Sequence, residues 1–394
     1  MEAYEKLISS IDKYTPYLEW ARQGLTPEQV KAHLFALLKP FFRYPERLET
    51  APLSALAYEA IMVSRITASS WASEMFAGVL SEYHGAFARN EKASIEALIA
   101  WDESAVRATS EFMSIYLMEV DKSQLGLEEF KLEILRNIGG MLEACLQPHL
   151  KALLHQNRIR RGRKAVATNI LAQTFGSVVE ELNKALAASD LMAPPPWGIK
   201  LHQWRNIAQH HAATVRGDVI VCSYQRGSAT QEIVLSRSEF LVLAHILHGI
   251  LGIVRAARSI FILDCDRSVS RDGPELIMRT ETSFLEIALA IATQGFEVVK
   301  TDVDEEMAHL FVRDVTHGDS QQRMLHASQF VVMTWQVFHR PKVRVTYMDN
   351  SGQERLETTA TGTDCEEIAE QRIKFASLAQ RVEFRVIGQQ TKNA

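Results

Sequence analysis

From its first residues to about position 190 the chain places apolar side chains three and four positions apart, and no stretch there alternates apolar with polar. A segment of that length with that period has to fold as a succession of amphipathic helices. Thr26-Pro27-Glu28-Gln29 carries a cap, a proline suited to a first helical turn and a capping-box glutamine, and Pro40 ends the helix it starts. Further helices are expected over 53–69, 72–90, 92–120, 128–156 and 165–187. Pro194, Pro195 and Pro196 then fix φ and remove donors, so a new element must begin after them.

The pattern changes beyond that spacer. Residues 218–224 and 232–235 read as two strands of a small hairpin around the loop 225–230, and Ser236 or Ser238 can cap a long apolar helix over 239–260. From about position 261 short strands alternate with helices: a helix over 284–292, strands over 296–300 and 309–313, a helix over 321–338, and a strand over 342–348. Asn350-Ser351-Gly352-Gln353 turns the chain into 355–361, and a helix near 365–379 precedes a last strand at 382–387. The expected fold is therefore mainly α, with an α+β C-terminal domain. Its expected parts are a helical region over 1–127, a helical bundle with a small β-hairpin over 128–262, and the α+β domain over 263–394.

With 394 residues and 47% hydrophobic side chains the chain can build more than one core. Its net charge of −5 gives no global basic field, so any contact with nucleic acid has to come from a local patch. Cys145, Cys222, Cys265 and Cys365 stand singly, without zinc spacing, and are expected to be reduced core thiols. The N-terminus lacks a basic stretch followed by an apolar one. The most apolar run, 240–262, is interrupted by His245, His248, Arg255 and Arg258, which suits a buried helix better than a membrane span. A cytoplasmic protein is expected. No phosphate-binding glycine loop, esterase elbow, metalloprotease motif or fixed repeat occurs.

After the proline spacer comes Trp204-Arg205-Asn206-Ile207-Ala208-Gln209-His210-His211. A permanent cation, an amide and a group that titrates near neutrality within a turn and a half can converge on a phosphate. An RNA strand can be cut without metal when its 2′-OH attacks the adjacent phosphorus, and His210 could serve as the base or the acid of that step. Arg205 would hold the phosphate and stabilise its growing charge, while Asn206 would orient His210 or donate to the phosphate. His211 points about 100° away from His210 on a helix, and the spacing favours His210. The motif, the hairpin and the closing helix together resemble the C-terminal half of a HEPN domain, a helical family with many metal-independent ribonucleases. That resemblance covers a quarter to a third of the chain. It implies an endoribonuclease without cofactor or metal, in bacteria often a toxin or antiviral effector, with Arg205, Asn206 and His210 as the catalytic set. It also implies a homodimer, because family grooves form where two such sets meet. The one internal echo, Leu135-Arg136-Asn137, has Met141 where the histidine belongs.

Arg158, Arg160, Arg161, Arg163 and Lys164 form a basic run in an acidic protein, either an electrostatic guide for RNA or a solvated helix junction broken by Gly162. His149 and His155 just before it read as surface or capping residues. Asp264, Asp266 and the stretch 302–306 read as acidic loops rather than metal ligands. Other readings of the same motif are a noncatalytic HEPN scaffold that binds nucleotide or a partner protein, and a helical regulatory protein.

Overall fold

The structure is a computed structural model of the 394-residue chain and describes residues 2–118, 122–265 and 278–387. Helices α1 (Glu2–Tyr14), α2 (Tyr17–Arg22), α3 (Pro27–Leu38), α4 (Leu53–Thr67), α5 (Ser70–Arg89) and α6 (Glu91–Leu117) open the chain. They are followed by α7 (Leu127–Gly140), α8 (Gln147–Arg160), α9 (Ala167–Leu171), α10 (Phe175–Ala185) and α11 (Leu201–Gln209). Strands β1 (Ala213–Arg216), β2 (Val219–Arg226) and β3 (Ala229–Leu235) come next, and then α12 (Arg237–Cys265). The remainder is α13 (Thr280–Thr293), β4 (Phe296–Val303), β5 (Met307–Asp314), α14 (Ser320–Ser328), α15 (Phe330–Phe338), β6 (Lys342–Met348), β7 (Glu354–Thr361), α16 (Gly362–Ala369) and β8 (Glu383–Val386). The chain is mainly α with an α+β C-terminal region, and among the described residues no strand precedes Ala213.

The described residues fall into two compact units, each discontinuous in sequence. The sheet unit draws on Met1–Leu38, Ala51–Ile61 and Arg279–Ala394, and the helical unit on Lys39–Thr50 and Met62–Met278. The first three helices thus share a core with the C-terminal strands instead of forming part of a region ending at 127. Within the sheet unit the strand order is β4-β5-β6-β7-β8, antiparallel except for the parallel β5–β6 pair. The crossover between those two strands carries α14 and α15. Tyr4 of α1 meets Phe284 and Phe338 edge-on at 5.0 and 5.7 Å, which explains why the N-terminal helix belongs here.

In the helical unit α5, α6, α8 and α12 supply the core, with Tyr83, Leu150, Leu153, Leu247, Ile250 and Phe261 wholly buried. The expected hairpin is a three-stranded meander, β1-β2-β3, closed by two-residue turns at Gly217-Asp218 and Gly227-Ser228. Both glycines have positive φ (65° each), the Gly-first pattern that matches the twist of antiparallel strands. The stretch expected as one helix over 128–156 is continuous but widens into a π-helical turn, Met141–Leu146, before α8. Pro148 accounts for it: the ring removes a donor and crowds the carbonyl four residues back, so the turn opens and the Gln147 N–H reaches Leu142 O.

Candidate phosphodiester site

Helix α11 starts just after the proline spacer, where the Leu201 N–H donates to Met192 O at 2.9 Å. Leu201, Trp204, Ile207 and Ala208 are buried and fix one face of the helix against the unit. The helix closes through the six-to-one bond of a Schellman-type stop: the Ala212 N–H reaches Ile207 O at 3.0 Å, and His211 between them has φ 49°. His211 therefore occupies the position where glycine usually ends a helix. His210 is the cap residue, and its backbone N–H still donates to Asn206 O.

Arg205 is 24% exposed, and its Nε, which has no hydrogen-bond partner, lies 3.5 Å from Glu143 Oε2. Glu143 sits on the π turn, so the irregularity at Pro148 positions the carboxylate beside the motif arginine. One turn earlier, His202 has a buried Nδ1 without a partner. Burial pushes its pKa down, Glu180 opposes that, and Lys200 and Arg205 add to it. Glu180 itself pairs with Lys200 at 2.6 Å at the start of the helix. His202, with its lowered pKa beside Arg205, is a residue that the Arg-x4-His spacing does not single out. The signal for it was its place three residues before the arginine, one turn away on the same face.

Asn206 is half-buried and His210 exposed; the imidazole has no side-chain partner among the described residues. Four residues apart on a helix, Asn206 and His210 lie about 40° apart around its axis, whereas the five-residue step from Arg205 to His210 corresponds to about 140°. The helix thus brings the amide and the imidazole to one side and leaves Arg205 on the flank facing Glu143. The internal echo is spent structurally: Arg136 pairs with Glu133 at 2.8 Å, Asn137 Oδ1 accepts from His248 Nε2 at 2.7 Å, and Met141 is fully buried.

The basic run is the C-terminal end of α8. Gly162, at φ 66°, is its left-handed stop, with Gly162 N–H to Ile159 O and Arg163 N–H to Arg158 O both 2.9 Å. Arg158 grips Glu181 through two nitrogens, Arg160 pairs with Glu82 at 2.8 Å, and Arg161 donates to Ala185 O. Arg163 and Lys164 are exposed.

Several other residues take roles unlike those expected. His149 and His155 are buried, not surface residues; burial, with the Arg258 and Arg255 charges, pushes the His149 pKa down to about 3. Asp264 is not in a loop but at the end of α12, fully buried, accepting from the backbone N–H of Arg43 and Tyr44 at 2.8 Å each and facing His84 Nε2 at 3.1 Å. Asp266 lies outside the described residues. Asp304 caps the β4–β5 turn by accepting from Glu306 and Met307 N–H. Among the described residues no group of three or more His, Cys, Asp or Glu side chains could hold a metal ion. The four cysteines are buried, and burial raises each thiol to about 12. Helix α12 is long and apolar enough to cross a membrane by length and composition, and 61% of its most apolar window is buried within the chain. No protein-family model, curated protein or solved structure matches the chain.

Proposed function

We propose that the protein is a metal-independent endoribonuclease of the HEPN type, with His210 as general acid or base, Asn206 as its orienting amide and Arg205 as the phosphate-binding cation. The observation that carries this reading is the end of α11, where an exposed imidazole without a side-chain partner stands one turn after an amide, and the same helix carries on its other flank a half-buried guanidinium that is not locked into a bidentate salt bridge. A 2′-OH attack needs such an imidazole near neutral pH and a cation on the phosphoryl oxygens. Since the two groups diverge around the helix, a second copy of α11 across a two-fold axis supplies the missing partner, and the proposed enzyme is a homodimer. Helix α12 buries Phe240, Leu243, Leu247, Ile250 and Val254 within its own chain and leaves a narrow exposed stripe at Val242, His245 and Gly249.

The test is cleavage of total cellular RNA by the purified chain in EDTA. Products should end in 2′,3′-cyclic or 3′-phosphate, and a folded His210→Ala variant should lose on the order of 10²–10⁴ in rate. Undiminished cleavage by that variant, or 3′-hydroxyl ends, would overturn the assignment.

A further inference from the structure

The cations around the end of α8 divide sharply by what they touch. Arg158, Arg160 and Arg161 are taken up by Glu181, Glu82 and a backbone carbonyl. The side chains of Arg163 and Lys164, beyond the glycine stop, form no hydrogen bond or ion pair among the described residues, and neither does that of Arg89 at the end of α5. These three cations line one cavity of about 680 Å³ in the helical unit. Arg89 is brought there by the turn: a Cβ on Gly162 would stand 3.1 Å from its Nη2, so the glycine lets the guanidinium lie against the helix end.

The rest of the lining is of two kinds. Ala93 and Ala100, two turns apart along α6, make a shallow apolar wall over the buried Ala97 and Ile159. Buried His155 also lines the cavity, its Nδ1 accepting from Trp101 Nε1 at 3.1 Å, which leaves it the neutral tautomer with the proton on Nε2. Glu96 is the one carboxylate in the lining, and Lys92 lies 3.9 Å from it. Asn90 is occupied in capping α6. The volume is that of a small-molecule site. Three cations without an ion-pair partner at one rim favour a phosphate over a carboxylate, since two arginines present forked donors to its oxygens. A wall without long side chains leaves a flat apolar face beside them.

We propose that this cavity binds one nucleotide, its phosphate held by Arg89, Arg163 and Lys164 and its base laid against the alanine wall. The nucleotide can be a free nucleoside phosphate or one unit of an RNA strand; both present the same phosphate and the same flat ring. No residue of the Arg205 motif takes part, so the site stands or falls apart from ribonuclease activity.

Calorimetric titration of the full chain with ADP, inorganic phosphate and a short oligoadenylate tests it, with His210→Ala as the background to prevent cleavage. Saturable, salt-sensitive binding of ADP is expected, and an Arg163→Gln/Lys164→Gln chain, altered only at exposed positions, should bind about tenfold or more weakly. Ala100→Leu should weaken ADP and leave inorganic phosphate unchanged, because it fills the wall without touching the charges. Saturation by oligoadenylate and not by ADP, with the same dependence on Arg163 and Lys164, supports the site with RNA as the source. No saturation by either ligand below millimolar concentration, or equal affinity in the double variant, overturns the proposal.

Discussion

At the scale of single residues, the two adjacent histidines of the motif are distinguished by backbone conformation. His211 holds a left-handed φ of 49° at a helix stop, a conformation that glycine reaches without strain. His211→Gly is therefore expected to stabilise the fold by about 0.5–1 kcal/mol and to leave RNA cleavage intact, read from urea midpoints and rates. A loss of cleavage in that variant would move the chemistry from His210 to His211. His149 supplies a pH signature. Its pKa in the fold, about 3, lies below the ordinary 6.5, so between those values the unfolded chain binds the proton and the folded one does not. Its contribution to stability is complete above pH 6.5 and drains away as pH falls, by up to about 1.4 kcal/mol per pH unit. A His149→Gln chain should show a shallower loss than the parent between pH 6.5 and 5, and parallel curves would exclude the effect. The spacing of Arg205, Asn206 and His210 was visible in the sequence. The burial of His149 and Asp264 was not, because polar residues inside a core are placed by partners far along the chain, as Asp264 is by Arg43, Tyr44 and His84.

At the scale of elements, periodicity located most helices, because an amphipathic stripe is a local property. Strand β6 coincides with its expected bounds, and β7 begins one residue early. The failures are where tertiary partners decide. The stretch 321–338 divides at Gln329 into α14 and α15, a break that lets Arg323 reach Asp314 at 3.0 Å and stack over Phe296 at 3.6 Å while Phe330 turns into the core. The π turn that aims Glu143 had a visible cause in Pro148, yet its consequence for Arg205 depends on a contact across sequence. The stop at Gly162 was legible as a break in the basic run, and its geometry carries a prediction. Gly162→Ala should destabilise the helical unit by roughly 1–2 kcal/mol, since a side chain at positive φ is strained and meets the Arg89 guanidinium as well. An unchanged thermal midpoint would show that the turn relaxes at no cost.

At the scale of the whole molecule, the division at 127 and 262 suggested by composition differs from the way the packing partitions the chain. Composition reports what a segment is made of, and the Tyr4–Phe284–Phe338 contact joins segments about 280 residues apart that no local property relates. A fragment covering residues 1–265 should therefore fail to fold fully: it holds the helical unit's elements together with helices α1–α3, whose apolar faces lack α13 and, for α1, β4. Aggregation or partial loss of helicity is expected, measured by circular dichroism and gel filtration, whereas a monodisperse, fully helical fragment would show that α1–α3 find another partner. The same discontinuity orders events during synthesis. At roughly 5–20 residues per second, the ribosome needs on the order of ten to fifty seconds to go from the end of α3 to the start of α13. For that interval the first helices have emerged without α13, on which they pack, while most of the helical unit is made. Helices α1–α3 are thus the part of the sheet unit that waits longest for its partners.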